Sequence, residues 1–493
     1  MPLWPQFCAG AYTMRSANID TEACINLFPE TVESKANAKK SVLYGTPGLT
    51  RLTTVTDTIC RGMFSHDGRT FAVMGSSLYE LTLSGSQSTL VAIATLRGSS
   101  GALGTDGLPC FFATNGKGGN QLAIVSAGKL YIFTLTTNTL SVAVTLPLTN
   151  AAGPVLFLNG YFLLIEVNSL KLWFSELEDG TKWDALDFAA RSNTSDNVVG
   201  MVALHDQIKV FGSKTSEIFY NAGEADNPFL PYPGSIAMDG ALAATGICVL
   251  GESMIWVAKN EWDVLRAMRA GTGEATVIST PAVEFAWASY GTVTDVEVLP
   301  YEQEGHPFVN FTFPTADVTW TYDLREAQWH QRDSRDAAGV FHRWRARGTC
   351  APGNQTTLVG DYQTGDVYAL SLDRFDENCT KIRRLRRAPY LGAENQWLFL
   401  DQVELGLQAG VGTTLTPAPN VNLRVSRDFG NTYNALVAAG MGASGQPLTR
   451  AIWRRLGRAR ADQLVLEVSQ TDAVRAVWGP GLWLRITQGS EQL

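Results

Sequence analysis

Seven cysteines and five histidines carry the most versatile chemistry in this 493-residue sequence, and their spacing leaves them little to do together. Cys8, Cys24, Cys60, Cys110, Cys248, Cys350 and Cys379 lie far apart, are odd in number and form no CxxC pair. That pattern predicts free thiols made in a reducing cytosol rather than a disulfide framework. His66, His205, His306, His330 and His342 show no ligand spacing, so no metal site is expected. Glycoside hydrolysis would need two carboxylates held at a fixed separation, one of them acting as acid. The candidates Asp323, Glu326, Asp361 and Asp366 sit in turns or at strand ends, and nothing in the sequence pairs them. No GxSxG, HExxH or GxxxxGKS/T motif occurs. Gly116 to Asn120 is glycine-rich but opens no predicted helix and reads as a hairpin loop. The residues therefore predict no catalytic, cofactor or metal site.

Charge is the stronger signal. Lys381 to Arg387 is a basic run containing Arg383, Arg384, Arg386 and Arg387. A second run, Trp453 to Arg460, holds Arg454, Arg455, Arg458 and Arg460. Such runs are either solvated strand faces or docking sites for an acidic partner or a neighbouring subunit, where the planar Arg fork matches carboxylates. Direct DNA contact suits an acidic chain less well. Ser426-Arg427-Asp428-Phe429-Gly430-Asn431-Thr432-Tyr433 resembles an Asp-box, a turn between two strands in which Asp accepts backbone N–H bonds and Gly takes an angle other residues resist. Its role is structural.

The elements that must position these residues are short strands. From about residue 58 a Gly- or Asn-containing turn recurs, followed by an aliphatic–aromatic strand. Leu78-Tyr79, Leu130-Tyr131, Leu172-Trp173 and Ile218-Phe219 mark four such units, spaced by 40–50 residues or slightly more. Ile255-Trp256, Val367-Tyr368 and the Thr319 to Trp329 segment add further units. Blades of about four strands repeat at this period, because one small sheet cannot bury both faces until a neighbour stacks on it. The expected fold is all-β: a β-propeller of six or seven blades, six being preferred, over residues 55–380. Residues 1–54, broken by Pro2, Pro5, Pro29 and Pro47, read as an extended N-terminal arm. Residues 381–493 alternate apolar and polar over four strands and read as a C-terminal β-sandwich-like domain.

Hydrophobic residues make up 45% and charged residues only 17%, which suits tight turns and strands better than long helices. The net charge is −8 and the sequence pI about 5.3. A conventional DNA-gripping protein is usually basic. An acidic one fits DNA that must slide past without adhering. The opening Met1-Pro2-Leu3-Trp4-Pro5 lacks a secretion signal, and the longest apolar tract, from Ala241 to Gly251, falls short of a bilayer span. No membrane insertion or conventional export is expected.

The two ends of the chain carry a family likeness. Ser16-Ala17-Asn18-Ile19-Asp20, Cys24-Ile25-Asn26-Leu27-Phe28-Pro29-Glu30 and Leu43-Tyr44-Gly45-Thr46-Pro47-Gly48-Leu49-Thr50 resemble the opening of the packaged-DNA stabilisation family, the tail hub or nozzle proteins of short-tailed bacteriophages (podoviruses). Trp453 to Arg460 followed by Leu466-Glu467-Val468-Ser469 is similar to that family's closing β-domain. The resemblance implies a non-enzymatic structural protein of the virion tail, made in the host cytoplasm. It implies a homo-oligomeric ring, most often a hexamer, below the portal and its adaptor (head-completion) protein. Such a ring retains packaged DNA, supports a tail fibre, spike or needle, and passes double-stranded DNA through its lumen without sequence recognition. An extended arm could lie across a neighbouring subunit. The other readings are a receptor- or carbohydrate-binding propeller and a tail-associated polysaccharide-degrading enzyme.

Overall fold

The computed structural model describes residues 4, 7–15, 20–32, 40–56, 58–85, 90–99, 101–191, 194–224, 226–260, 262–353, 356–388 and 396–488. Among them, helix is confined to the turns Gly116–Gly119 and Ala244–Gly246 and to Pro281–Ala288. The last is started by Thr280, whose hydroxyl accepts from Val283 N, and it buries Trp287 against Phe311, Phe313 and Trp329. Gly116–Gly119, expected as a plain hairpin loop, makes one helical turn inside that hairpin. No helix among the described residues is long and apolar enough to cross a membrane.

Seven four-stranded antiparallel units follow one another. Blades 1 to 6 occupy 60–97, 111–140, 152–190, 198–231, 247–277 and 297–335. Blade 7 takes three strands from Ala346–Cys350, Leu358–Asp361 and Asp366–Ser371, and its fourth, Gly48–Thr54, from the start of the chain. The preferred count of six is thus corrected to seven. The closing unit is hard to see in sequence because its strands come from both ends.

Closure is visible in the packing. Each junction between consecutive blades has its own buried apolar layer. Phe71 and Val73 meet Leu122 and Ile124 between blades 1 and 2. Ala123 and Ile132 meet Phe162 and Leu164 next, then Leu163 and Phe174 meet Ile208 and Phe219. Phe211 meets Trp256, and Val257 shares a core with Val309 and Phe311. Tyr301 and Phe308 meet Val359 and Tyr368, and Leu358 and Val367 meet Cys60 and Ala72, returning to blade 1. Every blade therefore has both faces covered, which an isolated four-stranded sheet cannot achieve.

The described residues of segment 1–54 do not form a separate arm. Thr21–Ile25 pairs with Arg384–Arg387, and Leu27–Val32 and Lys40–Gly45 form a hairpin that joins Val477–Gln488. These strands complete a two-sheet sandwich. One sheet runs Thr21–Ile25, Arg384–Arg387, Val465–Gln470, Asn420–Ser426, Val437–Gly440. The other contains the hairpin, Val477–Gln488, Trp397–Leu407, Ala451–Arg454 and Arg458–Arg460. Trp4, Phe7, Cys24, Leu27 and Leu43 lie in one core with Val403, Leu423, Trp453 and Trp478. Burial of those side chains explains why the opening segment folds back on its own chain instead of staying extended. Ile25 also bridges to Gln331 in the outer strand of blade 6, so sandwich and propeller share a continuous sheet.

Candidate functional site

The two arginine runs, alike in sequence, have opposite fates. Arg384–Arg387 is a central strand with partners on both sides. Arg386 has no accessible side chain; it donates to Phe7 O at 2.6 Å and Gly10 O at 2.8 Å and pairs with Glu22. Arg384 is buried as well, donating to Phe375 O at 3.3 Å, and burial pushes its pKa down to about 10. Arg383 pairs with Asp333 and stacks 3.7 Å from the Phe341 ring. Arg387 and Arg424 flank Tyr433 and both pair with Glu467, Arg387 at 2.9 Å. This run cross-links the chain's beginning, blade 6 and the sandwich. The docking expectation for Arg384 and Arg386 is corrected: a guanidinium without accessible surface offers nothing to a partner. Sequence reading missed this because Glu22, Asp333 and Glu467 are remote in the chain.

The second run stays outside. Trp453, Leu456 and Ala459 point into the core, while Arg454, Arg455 and Arg458 are exposed and Arg460 is half-buried. Arg455 takes the left-handed backbone angle (φ 58°) that turns the strand. Arg458 lies 4.2 Å over the Trp397 ring and Arg460 5.3 Å from it. Directly opposite residues share a sheet face. Arg458 is opposite Phe399, which is 43% exposed, and Gln402 is flanked by Arg454 and Arg485. Arg427 joins the edge by donating to the carbonyls of Leu456 and Arg458. None of Arg427, Arg454, Arg455, Arg458, Arg460 and Arg485 has a carboxylate partner among the described residues. The nearby Asp401 side chain accepts from Thr487 at 2.7 Å. The result is an open aromatic–arginine face.

A complementary surface lies on the propeller. Antiparallel strands reverse at every turn, so the first and third turns of a blade emerge on one side. In blades 3 to 5 these are 159–160 and 175–187, 205–206 and 222–228, 251–252 and 271–275. They contain ten carboxylates (among them Glu176, Asp184, Asp187, Glu224, Asp226 and Glu252) and one cation, Lys182. His205 Nε2 and Glu252 Oε2, 2.7 Å apart, join the first turns of blades 4 and 5, and Asn115 Nδ2 in the first turn of blade 2 donates to Glu178 O in the third turn of blade 3 at 3.1 Å. Burial, added to by repulsion from Asp184 and Glu176, raises the Asp187 pKa.

The remaining candidates are structural. Asp361 and Asp366 are brought together, both 3.1 Å from the Tyr368 hydroxyl. Both are buried and engaged: Asp361 caps Gln363 N and Thr364 N, and Asp366 accepts from Thr54. Asp323 is enclosed with His306 at 2.7 Å and caps the turn at Arg325 and Glu326, whose carboxylate accepts from Thr31. The Asp-box forms as expected. Asp428 accepts from the hydroxyls of Thr432 and Ser426 and from Thr432 N at 2.8 Å, which hold its pKa down to about 2, and Gly430 takes φ 88°. At the propeller axis a cavity of about 270 Å³ is bordered by Arg61, Glu297 and Arg347. Arg347 grips Glu297 at 2.7 and 3.1 Å, and Arg61 is spent on Gly75 O, Leu108 O and Asp106. Among the described residues no group of three His, Cys, Asp or Glu side chains could hold a metal ion.

Comparison with protein families gives two matches. Residues 5–374 match the family model described as bacteriophage P22 Gp10, beta-propeller, and residues 383–478 match that described as bacteriophage P22 Gp10, beta-sandwich. No curated protein matches the chain.

Proposed function

From the premise that this chain belongs to the bacteriophage P22 Gp10 family, and is thus a structural tail protein of a phage virion, we propose that it forms the ring-shaped nozzle beneath the portal and its adaptor. In this reading about six copies surround a lumen, retain the packaged DNA and conduct it during ejection. A fibre, spike or needle closes the distal end. The observation that carries the reading is the closed seven-blade circle, locked by a strand from the chain's start and fused by a continuous sheet to the sandwich. Stiff units of this kind suit a wall that must resist the pressure of packed DNA. In such a ring DNA would pass through the lumen shared by the copies. A net charge of −8 per copy keeps a passing polyanion from adhering. The reading assigns the chain no catalysis, since the candidate carboxylates Asp323, Glu326, Asp361 and Asp366 serve turns and internal hydrogen bonds.

The test is a phage deleted for this chain. Heads should fill and then lose their DNA to added nuclease, and electron micrographs should show no tail below the adaptor. Nuclease-resistant, fully tailed particles lacking the chain would overturn the proposal.

A further inference from the structure

We infer that the aromatic–arginine face of the sandwich docks onto the acidic turns of blades 3 to 5 in the next copy of this chain, and that this contact closes the ring. The inference rests on the reading of the chain as a ring subunit and specifies the surfaces involved.

The charge of the chain is sorted by region. Residues 383–488 carry thirteen arginines against seven carboxylates, whereas residues 152–277 carry sixteen carboxylates against eight cations. Within the sandwich, the interior arginines are spent on Glu22, Asp333 and Glu467. The surplus is presented outward by Arg454, Arg455, Arg458 and Arg485. Within blades 3 to 5, ten carboxylates share one side with a single lysine. Both surfaces also offer apolar anchors: Phe399 and Trp397 on one, Leu177 (63% exposed) and Leu186 (82% exposed) on the other. Arginine and aromatic side chains set among polar neighbours are what the centres of protein interfaces are built from.

Position favours a neighbour over self-contact. The sandwich attaches to the outer strand of blade 6. In a circle of seven, blades 2 and 3 are the farthest from blade 6, and blade 3 holds half of the ten carboxylates. Two different, complementary patches on one subunit make a head-to-tail contact, which generates a ring when the rotation closes. A second copy supplies the acidic turns automatically, in one-to-one stoichiometry.

The experiment uses three phages carrying full-length variants: Arg454→Glu with Arg455→Glu and Arg458→Glu; Asp184→Lys with Glu224→Lys and Asp226→Lys; and both sets on one chain. All six positions are exposed, so folding is checked by thermal melting and should be unchanged. Each triple variant alone should reduce tailed particles on the order of a hundredfold or more, because like charges then face each other. The combined variant, with the charges exchanged, should recover most of the loss. Loss with the arginine set alone, unaffected by the acidic set, would reassign the face to another acidic protein and overturn the inference. Normal assembly accompanied by loss of DNA binding in a gel-shift would reassign it to nucleic acid and overturn the inference equally. Normal tails from both triple variants would place the ring contact elsewhere. Absence of the chain from wild-type tails would instead sink the ring reading itself.

Discussion

Leu49 and Leu370 face each other on adjacent strands of blade 7, one from each end of the propeller sequence, and both are buried. The circle is therefore closed by hydrogen bonds between chain segments more than 300 residues apart in sequence. Leu49→Ala should lower unfolding stability by about 2–5 kcal/mol. Gly48→Val should be worse than its size suggests, because a side chain there collides with the carbonyl oxygens of Arg374 and Asp376. A chain beginning at residue 55 should lose the single cooperative transition in scanning calorimetry. An unchanged melt would mean that the closing strand is dispensable.

Arg386 and Glu22 form an ion pair with almost no water access, with the Phe7 and Gly10 carbonyls as further acceptors. Arg386→Met strands a buried carboxylate and should cost about 3–5 kcal/mol in urea unfolding. Adding Glu22→Leu removes the stranded charge, so the double variant should be more stable than the sum of the two losses. Strict additivity would show that the pair is not coupled.

Two neighbouring groups should respond to pH in opposite directions. His330 is fully enclosed, and burial pulls its pKa down to about 3. Its unfolded form takes up a proton below about 6.5, so its contribution is complete above that pH and falls as pH drops toward 3. Burial raises Asp333 to about 6 despite Arg383. Its native form holds a proton that the unfolded chain releases near 4, so this contribution is complete below 4 and is lost as pH rises to 6. Between pH 4 and 6 each slope is about 1.4 kcal/mol per pH unit, with opposite sign. Relative to wild type, His330→Phe should make stability fall as pH rises through this window, and Asp333→Asn should make it climb. Parallel curves for all three proteins would remove the assignment.

Thiol reactivity should single out one cysteine. Cys379 is exposed, Cys8 half-buried and the other five buried. Burial pushes Cys8 up to about 11 and Cys24, Cys60 and Cys350 up to about 12, which keeps them protonated and poorly nucleophilic. A native sample should show one fast-reacting thiol with a disulfide reagent, abolished by Cys379→Ser. Several fast thiols would indicate an open sandwich or an open blade junction.

The repeat of aliphatic–aromatic strands made the propeller legible, because each blade must present apolar faces to both neighbours and so repeats its pattern locally. The Asp-box was legible for a similar reason: Ser426, Asp428, Gly430 and Thr432 bond to one another within a single turn. Blade number was less so, since Gly48–Thr54 looks like part of an irregular leader until it meets Asp366–Ser371.

Side-chain fate in the arginine runs was not legible at all. Arg386 and Arg458 sit in equally basic neighbourhoods of sequence, yet one is sealed beneath Glu22 and the other lies open over Trp397. Local periodicity, turn chemistry and composition fixed the all-β class and the propeller, because blade strands pair with near neighbours in the chain, whereas the sandwich draws its strands from both ends of the chain. Which charges are used internally and which remain for a partner depends on contacts between residues hundreds of positions apart. Desolvation and pairing arise only when the two ends of the chain are brought together, so tertiary structure alone decided them.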